Sequence, residues 1–217
     1  MTLPILYSLR NCPYAMRARL AIYKATEPVE LRDIVLKNKP AEMLAASPKG
    51  TVPTLVLPSA QVIDESLEIM LWALNQKDPN NLLGSDKKQL DEMLTLINQF
   101  DNEFKQALEQ YKCAKRYHET NLEQCRQVCE RYIQDLEQRL HTSHYLVDNQ
   151  ERLADLALLP FIRQFAKVER QWYLHSPYPK VKQWLTRYLQ SAMFTKVMAK
   201  YPLWSSSSDV IIFTGKK

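Results

Sequence analysis

The first 76 residues alternate short apolar runs with stretches in which apolar side chains recur every three or four positions. Short apolar runs predict strands, whereas the recurring spacing predicts helices with one buried face. The predicted strands are Leu3–Ser8, Val29–Val35, Thr54–Leu57 and Gln61–Ile63, and the predicted helices are Pro13–Ala25, Pro40–Ala46 and Ser66–Asn75. The resulting order is strand, helix, strand, helix, strand, strand, helix, which indicates a mixed α/β domain over residues 1–76.

The pattern changes after residue 76. Residues 77–88 are rich in Asp, Pro, Asn and Gly, which favour turns, and they predict a linker. Beyond the linker the apolar positions keep helical spacing, so we predict an all-helical domain over residues 89–204. Its helices are predicted near residues 88–111, 116–140, 153–167, 181–189 and 194–201. Residues 205–217 form a predicted C-terminal tail, whose apolar run 210–213 the pattern does not place.

Composition narrows the class of protein. The chain has 217 residues, of which 46% are hydrophobic and 24% charged, as expected for a globular protein that buries a core without disulfides. The net charge of +5 is spread without a long basic run, which argues against a nucleic-acid partner. Only three glycines are present, too far apart to form a phosphate-binding loop.

The expected location follows from what the sequence lacks. No stretch reaches the roughly 18 apolar residues of a membrane span, so we expect no membrane partner. The N-terminus lacks the basic start and apolar run of a signal peptide. We therefore expect a cytoplasmic protein whose four cysteines are reduced.

Cys12 is the strongest candidate for chemistry, because it lies between the first predicted strand and a helix that begins at Pro13. Unpaired N–H groups and the positive end of the helix dipole favour the nucleophilic thiolate there. Arg17 and Arg19 add positive potential. A buried structural cysteine is the alternative, which Cys-Pro at such a junction disfavours. Ala15 stands where thioredoxin-type redox proteins carry a second cysteine, so the resolving thiol must come from solution, with glutathione the obvious candidate.

Two further pairs of residues are candidates for binding. Val52-Pro53 precedes a predicted strand, where an X-Pro bond is a candidate cis bond that leaves the Val52 backbone open to an extended peptide. Glu65-Ser66 stands at a helix start, whose N–H groups receive a carboxylate while Glu65 takes an ammonium group. Taken singly, an ordinary loop proline and an ordinary helix cap are the alternatives.

The pairs Cys-Pro, Val-Pro and Glu-Ser, in this order and spacing, resemble the glutathione transferase superfamily, especially its omega-like and glutaredoxin-like cysteine members. The resemblance implies a thioredoxin-like N-terminal domain that binds glutathione, followed by an all-helical C-terminal domain. It implies a catalytic residue, Cys12, and glutathione-binding residues Val52, Pro53, Glu65 and Ser66. Residues 36–40 are similar to an omega-class segment whose lysine contacts the glycyl carboxylate, which makes Lys39 a candidate; a solvated surface lysine is the equal alternative.

The implied activity is that of a glutathione-dependent thiol transferase or reductase, in which Cys12 forms a mixed disulfide with glutathione. Conjugation of glutathione to electrophiles is a second expected activity. Glutathione is the expected co-substrate, without a metal, and the expected partners are a small-molecule or glutathionylated acceptor and a second copy of the chain. A non-catalytic, protein-binding regulator of the same fold is the alternative.

Other reactive side chains have structural interpretations. Cys125 and Cys129 share a helical face with His118, but both lie on an apolar stripe, so we favour buried cysteines over a metal site. Cys113 and these two are predicted on helices, where burial keeps thiols protonated and slow. The segment after Arg152 resembles the central helix of the family, except that the family has Ser or Thr at this position, so the hydroxyl half of a capping box is absent.

Overall fold

The computed structural model describes residues 2–207 and 209–215. Three residues of the predicted tail, at positions 208, 216 and 217, lie outside the described residues. The elements in chain order are β1 (Ile5–Ser8), α1 (Pro13–Ala25), β2 (Val29–Asp33), α2 (Ala41–Ala46), β3 (Thr54–Val56), β4 (Val62–Ile63), α3 (Ser66–Gln76), α4 (Lys87–Gln99), a π-helical segment (Phe100–Phe104), α5 (Lys105–Tyr117), α6 (Leu122–Thr142), α7 (Leu153–Val168), α8 (Arg170–His175), α9 (Pro179–Leu189), α10 (Ala192–Val197) and β5 (Ile212–Phe213). The chain forms two compact units, residues 1–80 with 191–217 and residues 81–190.

The first unit contains a five-stranded mixed sheet in the order β4-β3-β1-β2-β5. Strand β1 pairs in parallel with β2 and antiparallel with β3, which in turn pairs antiparallel with β4. Helices α1 and α3 pack against each other, and the small buried side chains Ala15, Ala18 and Ala21 of α1 permit this close approach. The predicted strand–helix order of residues 1–76 is confirmed, and so is the α/β plus all-α fold class.

The C-terminal segment completes this sheet. Strand β5 pairs antiparallel with β2, with Phe213 opposite Val29. Helix α10, which the sequence predicts as part of a helical domain over 89–204, packs against α1 instead. Gly215 lies against the backbone of α1, since a Cβ added to it would stand 2.0 Å from the carbonyl oxygen of Tyr23. The run 210–213, unplaced by the pattern, thus supplies an edge strand to the first unit.

The second unit is entirely helical among its described residues. The predicted helix 88–111 extends from 87 to 117 and contains the π-helical segment, where Phe100 and Phe104 lie 4.8 Å apart between ring centroids. Helix α7 is buried along most of its length, and α4, α5 and α9 pack against it. The short helix α8 is missing from the prediction. No helix in the described part of the chain is both long and apolar enough to span a membrane.

Helix α7 begins on a buried carboxylate. Asp155 accepts hydrogen bonds from the Arg152 N–H at 3.0 Å, the Leu146 N–H at 3.1 Å and the Trp184 indole N–H at 2.9 Å. The Arg152 guanidinium has no acceptor with which to return the bond, and it donates instead to Asp148 at 2.9 Å. Burial raises the pKa of Asp155 to about 7, although the three N–H donors oppose the shift. The Asp155 carboxylate therefore caps the start of α7, although the N-cap residue Arg152 has no hydroxyl to complete the capping box.

Candidate active site

Cys12 is the N-cap residue of α1, and Pro13 is the first residue of the helix. Proline suits this position because its missing N–H would be unpaired in any case. The Cys12 thiol is half-buried and donates to the Val52 carbonyl oxygen at 3.6 Å. Its side chain packs against a small apolar cluster that includes Ile34 and Met43. The helix start and the segment before β3 thus meet at the sulfur.

Residues 47–53, here called the site loop, run from the end of α2 to β3. Beside Val52, which accepts from Cys12, the loop contacts the other segments that carry predicted site residues. The Ser47 hydroxyl donates to Asp64 at 3.0 Å. Gly50, with a φ of +58°, lies under Lys39, whose Nζ would stand 3.1 Å from a Cβ added to the glycine. One loop therefore touches both Lys39 and the segment before α3.

Glu65 is the N-cap residue of α3, and Ser66 begins the helix as a buried side chain. The Glu65 carboxylate is exposed and forms an ion pair with Lys49 of the site loop. The hydrogen bond to Glu65 raises the pKa of Lys49. The sequence predicts that Glu65 binds the ammonium group of a ligand. In the structure the ammonium group of Lys49 is paired with this carboxylate instead. Sequence reasoning missed Lys49, because the pair joins loops 16 residues apart and no local pattern marks it.

The Val52–Pro53 bond is cis, as predicted. Within residues 2–207 and 209–215, no hydrogen bond uses the Val52 N–H, and the carbonyl oxygen accepts only from the Cys12 thiol. Pro53 is buried and directs the chain into β3. The backbone groups of Val52 are consequently available to pair with an extended peptide.

Arg19 holds the segment that carries Cys12. This buried side chain of α1 donates to the carbonyl oxygens of Leu9 at 3.3 Å and Arg10 at 2.7 Å, and also to the Ser8 hydroxyl. A further bond, 3.0 Å long, reaches the Val197 carbonyl oxygen at the end of α10. Burial lowers the pKa of Arg19 to about 10, and the nearby charge of Asp33 opposes that shift. The sequence analysis predicts that Arg19 adds positive potential near Cys12. The structure shows that its guanidinium also fixes the backbone of the segment before Cys12 by hydrogen bonds.

Tyr7 lies in the apolar cluster against which Cys12 packs, and it also contacts two residues outside that cluster. Its hydroxyl accepts a 2.8 Å hydrogen bond from Arg32, and its ring meets the ring of Trp204 edge-on at 6.3 Å. The Arg32 guanidinium lies 4.3 Å from the centroid of Trp204. Burial raises the pKa of Tyr7, while Arg32 opposes the shift. These contacts agree with a packing role.

The other cysteines differ in exposure. Cys129 is buried, and burial raises its pKa to about 12. Cys125 is half-buried. Cys113 is exposed, so the expectation that burial slows all three thiols is wrong for this residue, which faces away from the buried side of α5. No group of three or more His, Cys, Asp and Glu side chains in the described ranges is arranged to hold a metal ion.

Residues 6–81 match the glutathione S-transferase N-terminal domain, and residues 100–192 match the glutathione S-transferase C-terminal domain. The chain belongs to the glutathione S-transferase superfamily. Glutathione S-transferase omega-2 of Rattus norvegicus is 40% identical over 62 residues, which cover 29% of this chain and 25% of the relative. Pyrimidodiazepine synthase of Drosophila melanogaster is 35% identical over 94 residues, 41% of this chain and 39% of the relative. The chain thus matches well under half the length of either curated relative.

Solved glutathione transferases share the fold over nearly the whole chain. A poplar enzyme in which a serine is mutated to cysteine superposes with a TM-score of 0.78 at 20% identity, over 91% of this chain and 97% of the other. A family member from Pseudomonas fluorescens with two glutathione molecules bound gives 0.77 at 18% identity, over 90% and 92%. A transferase from Phanerochaete chrysosporium in complex with oxidized glutathione gives 0.77 at 19%, over 90% and 94%. At these identities the similarity establishes the glutathione transferase fold.

Proposed function

We propose that this protein is a glutathione-dependent thiol transferase of the cysteine type, in which Cys12 is the nucleophile. The observation that carries the proposal is the 3.6 Å contact between the Cys12 sulfur and the Val52 carbonyl oxygen. An extended tripeptide that pairs with the N–H and C=O of Val52 places its central side chain beside that carbonyl. In glutathione the central residue is cysteine, so the two sulfur atoms meet.

The remaining candidates suit the two ends of glutathione. Glu65 is an exposed carboxylate for the ammonium of the γ-glutamyl group, and Ser66 with the first N–H groups of α3 offers donors to its carboxylate. Lys39, held over Gly50, supplies a cation for the glycyl carboxylate. The ion pair between Lys49 and Glu65 is exposed, so glutathione exchanges it at little cost. Pro53 fixes the turn that presents the Val52 backbone.

The proposed reaction has two thiol–disulfide exchanges. The Cys12 thiolate attacks the glutathione sulfur of a glutathionyl disulfide, and the acceptor leaves as its thiolate, which takes a proton. Cys12 then holds glutathione as a mixed disulfide. The thiolate of a second glutathione attacks the bound glutathione sulfur, which releases oxidized glutathione and restores the Cys12 thiolate. Excess reduced glutathione drives this cycle, so we propose that the protein acts in the cytoplasm.

The test uses Cys12→Ser with Cys113→Ser as the matched control, because Cys113 is the exposed cysteine of the second unit. The assays are glutathione-dependent reduction of a glutathionyl mixed disulfide and conjugation of glutathione to chlorodinitrobenzene. We expect Cys12→Ser to lose at least about 100-fold of the reductase kcat/KM, while Cys113→Ser keeps the wild-type value. Equal reductase activity in all three proteins would contradict the mechanism. Glutathione binding without any turnover by the wild type would favour the non-catalytic regulator.

We further propose a homodimer in which α4 to α6 form the contact, by analogy with the family. Analytical ultracentrifugation at micromolar concentration is expected to show a species of twice the 25.4 kDa chain mass. A sedimenting species of single chain mass at that concentration would refute the dimer and leave the thiol chemistry untouched.

A further inference from the structure

The ion pair between Lys49 and Glu65 joins the site loop to the start of α3. Lys49 donates to Oε1 of Glu65, and no hydrogen bond or ion pair among the described residues uses Oε2. The two side chains are 48% and 61% exposed. Because an exposed ion pair contributes little to stability, a ligand can rearrange it without disturbing the fold.

Lys49 faces more negative charge than Glu65 alone supplies. The hydrogen bond to Glu65 raises the pKa of Lys49, and the charges of Glu65, Asp64 and Glu68 add to that shift. The Ser47 hydroxyl holds Asp64 in place at 3.0 Å. Within the described ranges, Lys49 is the one cation that forms an ion pair with any of these three carboxylates. Without Lys49, an anionic group that approached Glu65 would therefore meet only like charge nearby.

The γ-glutamyl end of glutathione carries an ammonium and a carboxylate on one carbon atom. When its ammonium binds Glu65, as the proposed function requires, its carboxylate necessarily lies close to the same place. Lysine has three N–H donors on a flexible stem, so Lys49 can turn to this carboxylate while it stays beside Glu65. The charges of Lys49, Glu65, the ligand ammonium and the ligand carboxylate then alternate in sign around a ring, and every adjacent pair attracts.

We propose that Lys49 binds the α-carboxylate of the γ-glutamyl group and so selects peptides that carry both charges at this end. The inference rests on the proposed glutathione site and adds a residue that determines specificity there. Its rival is simple competition, in which Lys49 blocks Glu65 until the ligand ammonium displaces it. The two accounts differ in sign. Removing a competitor tightens binding, whereas removing a recognition group weakens the binding of those ligands that carry the carboxylate.

The probes are reduced glutathione and 4-aminobutyryl-cysteinylglycine, which is the same peptide without the α-carboxylate. Titration calorimetry with a phosphine reductant present measures both affinities without disulfide formation at Cys12. Lys49→Gln should bind glutathione about fivefold more weakly than wild type does, whereas its affinity for the second peptide should stay the same or rise. The preference for glutathione should therefore fall at least about fivefold. Lys49→Arg keeps the charge and should retain the wild-type preference within about twofold.

The control is Lys77→Gln, which removes the same charge from an exposed position at the other end of α3. It should bind both peptides as wild type does, and circular dichroism checks that each variant is folded. Unchanged or tighter binding of glutathione by Lys49→Gln, or an equal loss in Lys77→Gln, would overturn the assignment of Lys49 alone. A wild type that binds neither peptide would overturn the glutathione site as well. Turnover by Cys12 is tested separately, since these measurements need no catalysis.

Discussion

Arg19 offers the sharpest test of how the fold positions Cys12. Its guanidinium donates to three carbonyl oxygens and one hydroxyl, all within the first unit. Two of those carbonyls, of Leu9 and Arg10, belong to the segment immediately before Cys12. Replacing Arg19 with leucine removes every one of these donors and also removes one of the two cations, Arg19 and Arg10, whose charges act on the buried Asp33 carboxylate.

The expected loss of stability is large. Leaving a buried hydrogen-bonding group without its partner costs about 1–3 kcal/mol. Arg19 is the donor to three carbonyl oxygens, so the total cost of Arg19→Leu should be at least about 3 kcal/mol. Because domains are stable by about 5–15 kcal/mol, Arg19→Leu should leave the first unit marginally folded. Arg19→Lys keeps the charge near Asp33 but lacks the planar fork that reaches several acceptors at once. We expect it to cost about 1–2 kcal/mol and to remain folded.

The assay separates positioning from stability. Urea unfolding measures the free energies, with Arg131→Lys on the exposed face of α6 as the control, expected within about 0.5 kcal/mol of wild type. Iodoacetamide labelling followed by peptide mapping gives the ratio of the Cys12 rate to the Cys113 rate within one molecule. In Arg19→Lys that ratio should fall about tenfold, because the Cys12 segment loses its fixed geometry. An unchanged ratio in a destabilised Arg19→Lys would show that Arg19 supports the fold only.

Three further predictions concern binding, reactivity and pH. Glu65→Ala should weaken glutathione binding much more than Glu68→Ala, an exposed acid of the same helix; equal calorimetric affinities would sink the assignment. In the wild type, iodoacetamide at pH 6 should label Cys12 before Cys113, because only Cys12 lies at a helix start whose dipole favours the thiolate; faster labelling of Cys113 would contradict it. Since burial raises the pKa of Asp155 from 3.8 to about 7, the folded chain retains a proton that the unfolded chain releases, and stability should fall as the pH rises through 7. The unfolding free energy of wild type minus that of Asp155→Asn should therefore be larger at pH 5.5 than at pH 8, and the opposite order would refute the shift.

The parts of the fold that could be predicted are those with a local signal. Helices and strands of residues 1–76 follow from periodicity within each segment, so their order was predicted correctly. Strand β5 has only two residues and pairs with Val29, far away in sequence, so no local pattern reveals it. The burial of Cys113 was predicted wrongly although its helix was predicted correctly. Leu108, Tyr111 and Ala114 lie on the buried face of that helix, and Cys113 lies outside this face.

The candidate site divides in the same way. The place of Cys12 at a strand–helix junction is a local property, and so is the cis bond before Pro53. The contacts that gather these residues are not local, because Cys12 meets Val52 across 40 positions and Lys49 meets Glu65 across 16. Only the folded chain shows that the site loop joins them. The catalytic role assigned to Cys12 stays a prediction, and so do the glutathione-binding roles assigned to Lys39, Val52, Pro53, Glu65 and Ser66.

The C-terminal segment bears on the site through the same network. Arg19 anchors the Cys12 segment and the end of α10 with one guanidinium, since it also donates to the Val197 carbonyl oxygen. Asp33, whose charge faces Arg19, accepts from the Trp204 N–H through its own carbonyl oxygen at 2.8 Å. Removing residues 191–215 would therefore leave the backbone groups at the edge of β2 without their partners in β5. It would also leave a buried N–H of Arg19 without the Val197 carbonyl oxygen. A buried polar group that loses its hydrogen-bond partner destabilises the fold. It follows that the thioredoxin-like unit is complete only with both ends of the chain, and that the geometry of Cys12 depends on residues far beyond the segment that carries it.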